Sequence, residues 1–221
     1  MPGITVIVMF LLLIIPLARQ AHAAEFTVAN VAQLQAALTT AASDGVDDTI
    51  WVAGGTYNVT SALTYNANNN GDGMLKIVAL NSRALPLFDG SAGTARIMVF
   101  RNNTDQNNPN DNGADIMVEG IVFRNGNHGG LFIATGKADI QINKCLFMDN
   151  QEFNGSGASL WSVTGAISVI KNTFIDNSGT YFGGGLYVNT KSGFVQISNN
   201  HFSGNTALNG GGAPWLSPPV L

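Results

Sequence analysis

One cysteine, Cys145, is all the thiol this 221-residue chain has. It cannot close an internal disulfide, so an oxidising compartment finds nothing to cross-link. A free cysteine is more often a buried apolar group than a nucleophile, and Cys145 is expected to be buried. Charge is scarce too. Only 11% of the residues are charged, the net charge is -4, and the basic residues stand singly rather than in runs. That leaves no electrostatic footprint for a phosphate backbone or an anionic membrane, which argues against nucleic acid as a partner. What the chain does have is 45% hydrophobic residues, 26 glycines and an obvious excess of asparagine. It is long and apolar enough for one domain with a real core. Glycine and asparagine tolerate the positive φ of tight turns, so this composition points to β structure.

Only one apolar run is long, from Ile4 to Ile15, and it is shorter than the roughly 18 residues needed to span a bilayer. Pro16 follows it, then small residues at Ala21 and Ala23. The pattern reads as a secretory signal peptide over residues 1–23, with the α-amine as the only positive charge ahead of the run. An exported product is expected, extracellular or associated with the cell surface or outer membrane, with no transmembrane segment in the mature chain. Next, Val31, Leu34, Leu38 and Ala41 fall on one helical face, Asn30 and Gln33 form a capping-box pattern, and Gly45 supplies a stop. A short amphipathic helix is expected over 31–42. A β-rich run, "DDTIWVAGGTY", then breaks at Gly54 and Gly55.

The decisive feature is a repeat. "IMVEGIVFRNG", "IQINKCLFMDN", "ISVIKNTFIDN" and "VQISNNHFSGN" align on Phe123, Phe147, Phe174 and Phe202, which are separated by 24, 27 and 28 residues. Such periods signal a solenoid. Seven and five residues before each phenylalanine the position is Ile or Val, and the positions between are mostly polar, the period-2 mark of a strand with one buried face. Identity at one phase favours parallel, in-register stacking over antiparallel hairpins, at about 4.8 Å per winding. Crossovers between such strands are expected to be right-handed. Asn150, Asn177 and Asn205 fill a column three residues past each phenylalanine. There they are expected to turn a corner, in left-handed backbone, and to hydrogen-bond one another along the axis. Asn172 and Asn200 start a second, inward ladder.

The F-x-x-N element with a glycine cluster downstream, in "FIDNSGTYFGGGL" and "FSGNTALNGGGA", resembles the repeats of polymorphic outer-membrane proteins, within the pectin-lyase-like superfamily of right-handed parallel β-helices. "LQAALTTAASDGVDDTIWVAGGTY" is similar to the opening of such helices, where a short helix plugs the first coil. The resemblance implies an all-β, single-stranded right-handed parallel β-helix of about seven coils over 24–213, with a capping α-helix. It covers roughly 26–213, with clear repeats from about 116. "FRNG" at 123 departs from it in lacking the asparagine, and "GSGA" at 155–158 is a degenerate glycine element. Strands are expected around Ile77–Leu80 and Ile97–Phe100, with "NANNNGDG" and "NNTDQNNPNDNG" projecting as loops.

Members of that superfamily include polysaccharide lyases and hydrolases, and also adhesins with no chemistry. A lyase needs a cationic base beside a carboxylate-bearing sugar, often with calcium. Lys144 and Lys171, one coil apart, are its candidates, with Arg124 and Lys137 nearby in sequence. Against it, exposed lysine is ordinary where a strand bends. A hydrolase needs paired carboxylates, and Asp149 and Asp176 share a column about 5 Å apart. Aspartate before asparagine is equally expected from turn chemistry. His128 and His201 lack zinc-ligand spacing, Asp47 and Asp48 read as turn residues, and nothing supports a calcium site or another cofactor. Asn58, Asn102 and Asn154 match the glycosylation pattern, as an asparagine-rich chain does by chance. The tail over 214–221, with three prolines, is expected to end the ladder, as in a truncated product. The leading functional expectation is a non-catalytic, exported, adhesin-like module contacting polysaccharide or a host or cell-surface protein. The alternatives are a polysaccharide lyase or glycoside hydrolase, and a structural fragment of a longer surface protein.

Overall fold

The computed structural model describes residues 23–67, 73–102, 113–209, 211, 212 and 214–217. The segment expected to be a signal peptide, except its last residue, and most of the two asparagine-rich stretches expected to be loops lie outside them. A first strand, β1 (Ala24–Val28), runs into α1 (Val31–Asp44). The Asn30 side chain accepts from the Gln33 N–H at 2.9 Å, while the Gln33 side chain accepts from the Ala29 N–H at 2.8 Å. Gly45, in left-handed conformation at φ 71°, ends the helix. Its apolar stripe, Leu34, Ala37, Leu38 and Ala41, is buried.

After the helix the chain winds. The first winding is β2 (Asp48–Val52), β3 (Gly55–Asn58) and β4 (Leu63–Ala67); the second is β5 (Met74–Ala79), β6 (Pro86–Asp89) and β7 (Met98–Asn102). The third is β8 (Asp115–Glu119), β9 (Val122–Arg124) and β10 (Leu131–Thr135). The fourth adds a short strand: β11 (Ile140–Asn143), β12 (Leu146–Met148), β13 (Gln151–Asn154) and β14 (Ala158–Ser162). The fifth is β15 (Ile167–Ile170), β16 (Thr173–Ile175), β17 (Ser178–Phe182) and β18 (Leu186–Thr190). The sixth is β19 (Val195–Ser198), β20 (His201–Ser203), β21 (Thr206–Ala207) and β22 (Trp215–Ser217).

Strands one winding apart pair in parallel, and three sheets result, the faces of a prism. The first face is β1-β2-β5-β8-β11-β15-β19, the second β3-β6-β9-β12-β16-β20 and the third β4-β7-β10-β14-β18-β22, with β13-β17-β21 a short ribbon between the second and third. The fold is thus an all-β parallel β-solenoid with one N-terminal helix. It has six complete windings where about seven were expected. The seventh strand of the first face is β1, after which the chain spends its residues on α1 and never visits the other two faces. The ladder also passes the expected boundary at 213, because Trp215, Leu216 and Ser217 pair with Tyr187, Val188 and Asn189.

The core is a set of columns. Ile50, Ile77, Val118, Ile142 and Val169 line the first face and are buried. On the second face Phe123, Phe147, Phe174 and Phe202 stack with centroids 5.0, 4.8 and 4.7 Å apart and planes within 6° of parallel. Two more rings precede them, Tyr57 and Phe88, which sequence alignment did not reach. Asn150, Asn177 and Asn205 stack beside the phenylalanines. Each Nδ2 donates to a backbone carbonyl of the preceding winding, Asn177 to Phe147 at 3.0 Å and Asn205 to Phe174 at 2.8 Å. The Asn150 and Asn177 amides also donate to the next asparagine's Oδ1, at 2.9 and 2.8 Å. A second ladder of the same form joins Asn172 to Asn200 at 3.0 Å. Buried amides with all these bonds made hold successive windings in one register, because a slip would strand them in an apolar core.

Candidate functional site

Corners explain most of the sequence candidates. Lys144 and Lys171 have φ of 52° and 58°, Asp149 and Asp176 have φ of 54° and 51°, and each immediately precedes an inward-facing column residue. The ladder asparagines 150, 177 and 205 are not the left-handed residues. The bend falls one residue earlier, since an amide that must point into the core cannot occupy a position whose side chain points out. Left-handed backbone costs an L-residue about 1–2 kcal/mol, which is why glycine holds the same corners at Gly120 and Gly204.

These residues do not converge. The lysines stand at the corner between the first and second faces and the aspartates at the far edge of the second, with three strand residues, roughly 10 Å of chain, between them. Lys144 is exposed and bonds Glu119 at 2.6 Å. That hydrogen bond raises its pKa, the opposite of what a general base needs. Cys145 is buried, and desolvation pushes its thiol up to about 12, so thiolate chemistry is suppressed. His128 and His201 are exposed and far apart in the sequence of windings. Asp48 is not a turn residue: it is buried in β2 and accepts from the Ala24 N–H at 3.0 Å, while Asp47 accepts from the Met74 N–H at 2.8 Å. Among the described residues no group of three His, Cys, Asp or Glu side chains is placed to hold a metal ion. Of the glycosylation patterns, Asn102 and Ser156 are buried, and only Asn58 is exposed with its partner threonine.

Among the described residues a groove lies elsewhere, on the outer surface of the third face. Outward positions there form two columns, Val99–Phe132–Ser159–Tyr187 and Arg101–Ala134–Trp161–Asn189. Ala134 is the short member between a long arginine and a tryptophan, so the surface dips there. The result is a cavity of about 360 Å³ at Ala134, lined by Phe132 and Trp161 and by the buried Thr135 and Ser162, with Val163, Asn189 and Lys191 completing it. Trp161 is 36% exposed; its ring lies 5.3 Å from that of Tyr187, and its Nε1 donates to Ser159 Oγ at 3.1 Å. The Asn189 amide donates to the Tyr187 hydroxyl at 3.3 Å. Two guanidinium groups lie over the Phe132 ring, Arg96 at 4.8 Å and Arg101 at 5.2 Å from its centroid. Arg96 pairs with Glu152 at 3.0 Å, and burial lowers its pKa. The two arginines pin the Phe132 ring, and the Ser159 and Asn189 bonds orient the other two.

None of these groove residues was singled out from the sequence. The signal was present: "GGLFIAT", "GSGASLWS" and "GGGLYVNT" align on Gly130, Gly157 and Gly185, which puts Phe132, Ser159 and Tyr187 in one column and Ala134, Trp161 and Asn189 in another. Those glycines are required by contact. A Cβ on Gly157 would stand 2.4 Å from the Gly185 carbonyl oxygen and 3.0 Å from the Phe174 ring. "GSGA" is therefore a full member of the glycine column. Comparison of the chain with models of known protein families gives no match, and comparison with curated proteins gives none either.

Proposed function

We propose that this chain is an exported parallel β-helix of the pectin-lyase-like kind, allied to the repeats of polymorphic outer-membrane proteins. It works as a non-catalytic, adhesin-like module that holds a glycan in the groove of the third face. One observation carries the reading: an exposed, oriented Trp161 lies with Phe132 around a notch whose lining also brings the Asn189 amide and the Lys191 ammonium group. Flat rings stack against the apolar faces of sugar rings, and a few fixed polar groups at the rim set orientation, the usual composition of a small-ligand site. Lys144, Lys171, Asp149 and Asp176 have a sufficient reason to exist in the bends they make, so no observation favours the lyase or hydrolase reading over this one.

The test is a titration of the folded chain with neutral and acidic oligosaccharides, followed by tryptophan fluorescence and calorimetry. Binding to at least one glycan class is expected, and Trp161→Ala weakens it tenfold or more, equivalent to about 1.4 kcal/mol. Failure of every glycan to bind, equal binding by the Trp161→Ala variant, or release of unsaturated or reducing-end products would each overturn the reading. Export is checked separately, by sequencing the mature N-terminus, expected at Ala24.

A further inference from the structure

One inward column of the first face has an odd member. Leu75, Ile116, Ile140 and Ile167 follow one another through it in register and are buried, yet the first winding puts Asp48 there, 2% exposed. A carboxylate among aliphatic side chains is costly unless groups of complementary charge or hydrogen-bonding character meet it. One group that does so is the backbone nitrogen of Ala24. β1 is the outermost strand of this face and pairs with β2 in a register that sets Ala24 against Asp48. The Ala24 N–H donates to Asp48 Oδ1 at 3.0 Å.

Ala24 is also the residue at which the sequence pattern starts the mature chain. Small residues at Ala21 and Ala23, after the apolar run and Pro16, put the cut between 23 and 24. That expectation owes nothing to strand pairing. Two independent observations therefore fall on one bond: the signal pattern selects it, and the sheet sets the nitrogen that the cut would free against the one carboxylate of an aliphatic column.

We propose that removal of the leader creates an ion pair between a new α-ammonium group on Ala24 and the buried Asp48, and that this pair fastens β1 to the first winding. The inference rests on the export reading above. Hydrolysis of the Ala23–Ala24 peptide bond consumes one water. The new carboxylate stays on Ala23 and departs with the leader, and the amine left on Ala24 takes up a proton. A neutral donor thus becomes a cationic one in the same place. Charge-assisted hydrogen bonds are shorter and roughly twice as strong as neutral ones, and the burial of Asp48 reduces screening by water. The other end of β1 is held already, since the Val28 carbonyl accepts from the Ala53 N–H at 2.8 Å and from the Tyr57 hydroxyl at 3.1 Å. α1 begins three residues further on and lies over the first winding, its Gln35 side chain bonded in both directions to the Thr64 backbone at 2.9 and 2.8 Å. The ion pair holds the free end of the strand that leads into this cap, so the cut that frees the protein also tightens its first coil.

The full chain is expressed for export, and the mature protein is sequenced from its N-terminus. One portion is acetylated on the α-amine in denaturant near pH 7, where the lysines stay protonated, and refolded. Acetylation keeps the Ala24 N–H as a donor and removes only the charge. Relative to the acetylated form, the free-amine form is expected to show a folded-to-unfolded ratio about tenfold higher in chemical denaturation and amide exchange in β1 about tenfold slower. In Asp48→Asn the same acetylation changes neither quantity, which ties the charge to this carboxylate. Should Asp48→Asn not fold, exchange in β1 of the two wild-type forms decides. Equal stability and equal β1 exchange in those two forms, or a difference that persists in Asp48→Asn, would overturn the inference and leave export standing. A mature chain that begins at any residue other than Ala24 would overturn both.

Discussion

The first two windings and the last four are built to one plan with different fastenings. In the early windings the ring column is edge-to-face: Tyr57 meets Phe88 at 75° and Phe88 meets Phe123 at 81°. From Phe123 onward the rings are parallel within 6°. The corner beyond the second face differs likewise. Between the second and third windings it is tied by Asp89, which takes Arg124 Nη2 at 2.7 Å, the Asn125 amide at 3.2 Å and the Ser91 N–H at 2.9 Å. Later it is tied by the ladder of Asn150, Asn177 and Asn205. Identical side chains can repeat one geometry indefinitely. Unlike ones need a separate solution at each step. The late windings should therefore fail together when one rung is removed, while the early ones should show local and condition-dependent effects.

The largest effect is expected at Asn177. Its side chain gives hydrogen bonds to the Phe147 carbonyl at 3.0 Å and to Asn205 at 2.8 Å, and accepts from the Asn150 amide at 2.9 Å, in a fully buried site. Asn177→Ala strands several of those partners, at about 1–3 kcal/mol each. A loss on the order of 3–5 kcal/mol is expected by chemical denaturation. A loss below about 1 kcal/mol would show that the ladder records register and does not hold it.

A smaller effect, confined to acid, is expected at Asp89. Burial works to raise its pKa, but the Arg124 guanidinium, the Ser91 bonds and the Asn125 amide outweigh it and hold the carboxyl well below the usual range. A carboxylate with a depressed folded pKa stabilises the protein above its unfolded pKa, about 4, and that contribution is lost as the pH falls further. The Arg124 side chain is 36% exposed, so solvent screens the pair and the effect is on the order of 1 kcal/mol. The melting temperature of the wild type should fall from about pH 4 downward more steeply than that of Asp89→Asn. Parallel curves would remove Asp89 from the account.

The contrast between the two regions also decides what the sequence could tell. Where fastenings repeat, as from Ile116 on, aligning four phenylalanines yields strand phase, parallel stacking and the inward column together. Where they do not, β4 and β6 escape notice: "LTYNA" lies on the third face, whose inward column changes from Tyr65 to Phe100, Ile133 and Leu160, and "PLFD" puts Phe88 in the ring column with Ser91, not asparagine, three residues on. The helix and its caps were legible because local hydrogen bonds decide them. The groove was not, since its two columns lie on outward positions, where packing imposes no repeated residue. Trp161, Ala134 and Arg101 acquire meaning only through the in-register pairing that sets them side by side.

The smallest effect is also the sharpest on the catalytic candidates. Lys171 sits exposed at φ 58°, in a column where glycine appears at 120 with φ 72°. Lys171→Gly removes the left-handed cost of about 1–2 kcal/mol and adds the unfolded-state entropy of glycine, roughly 0.5–1 kcal/mol. The balance is a gain of about 0–1.5 kcal/mol, read as a modest rise in melting temperature with glycan binding unchanged. A residue kept for chemistry would show the same gain in stability but with activity lost. Stability and ligand affinity measured on the same variant therefore separate a corner residue from a working one.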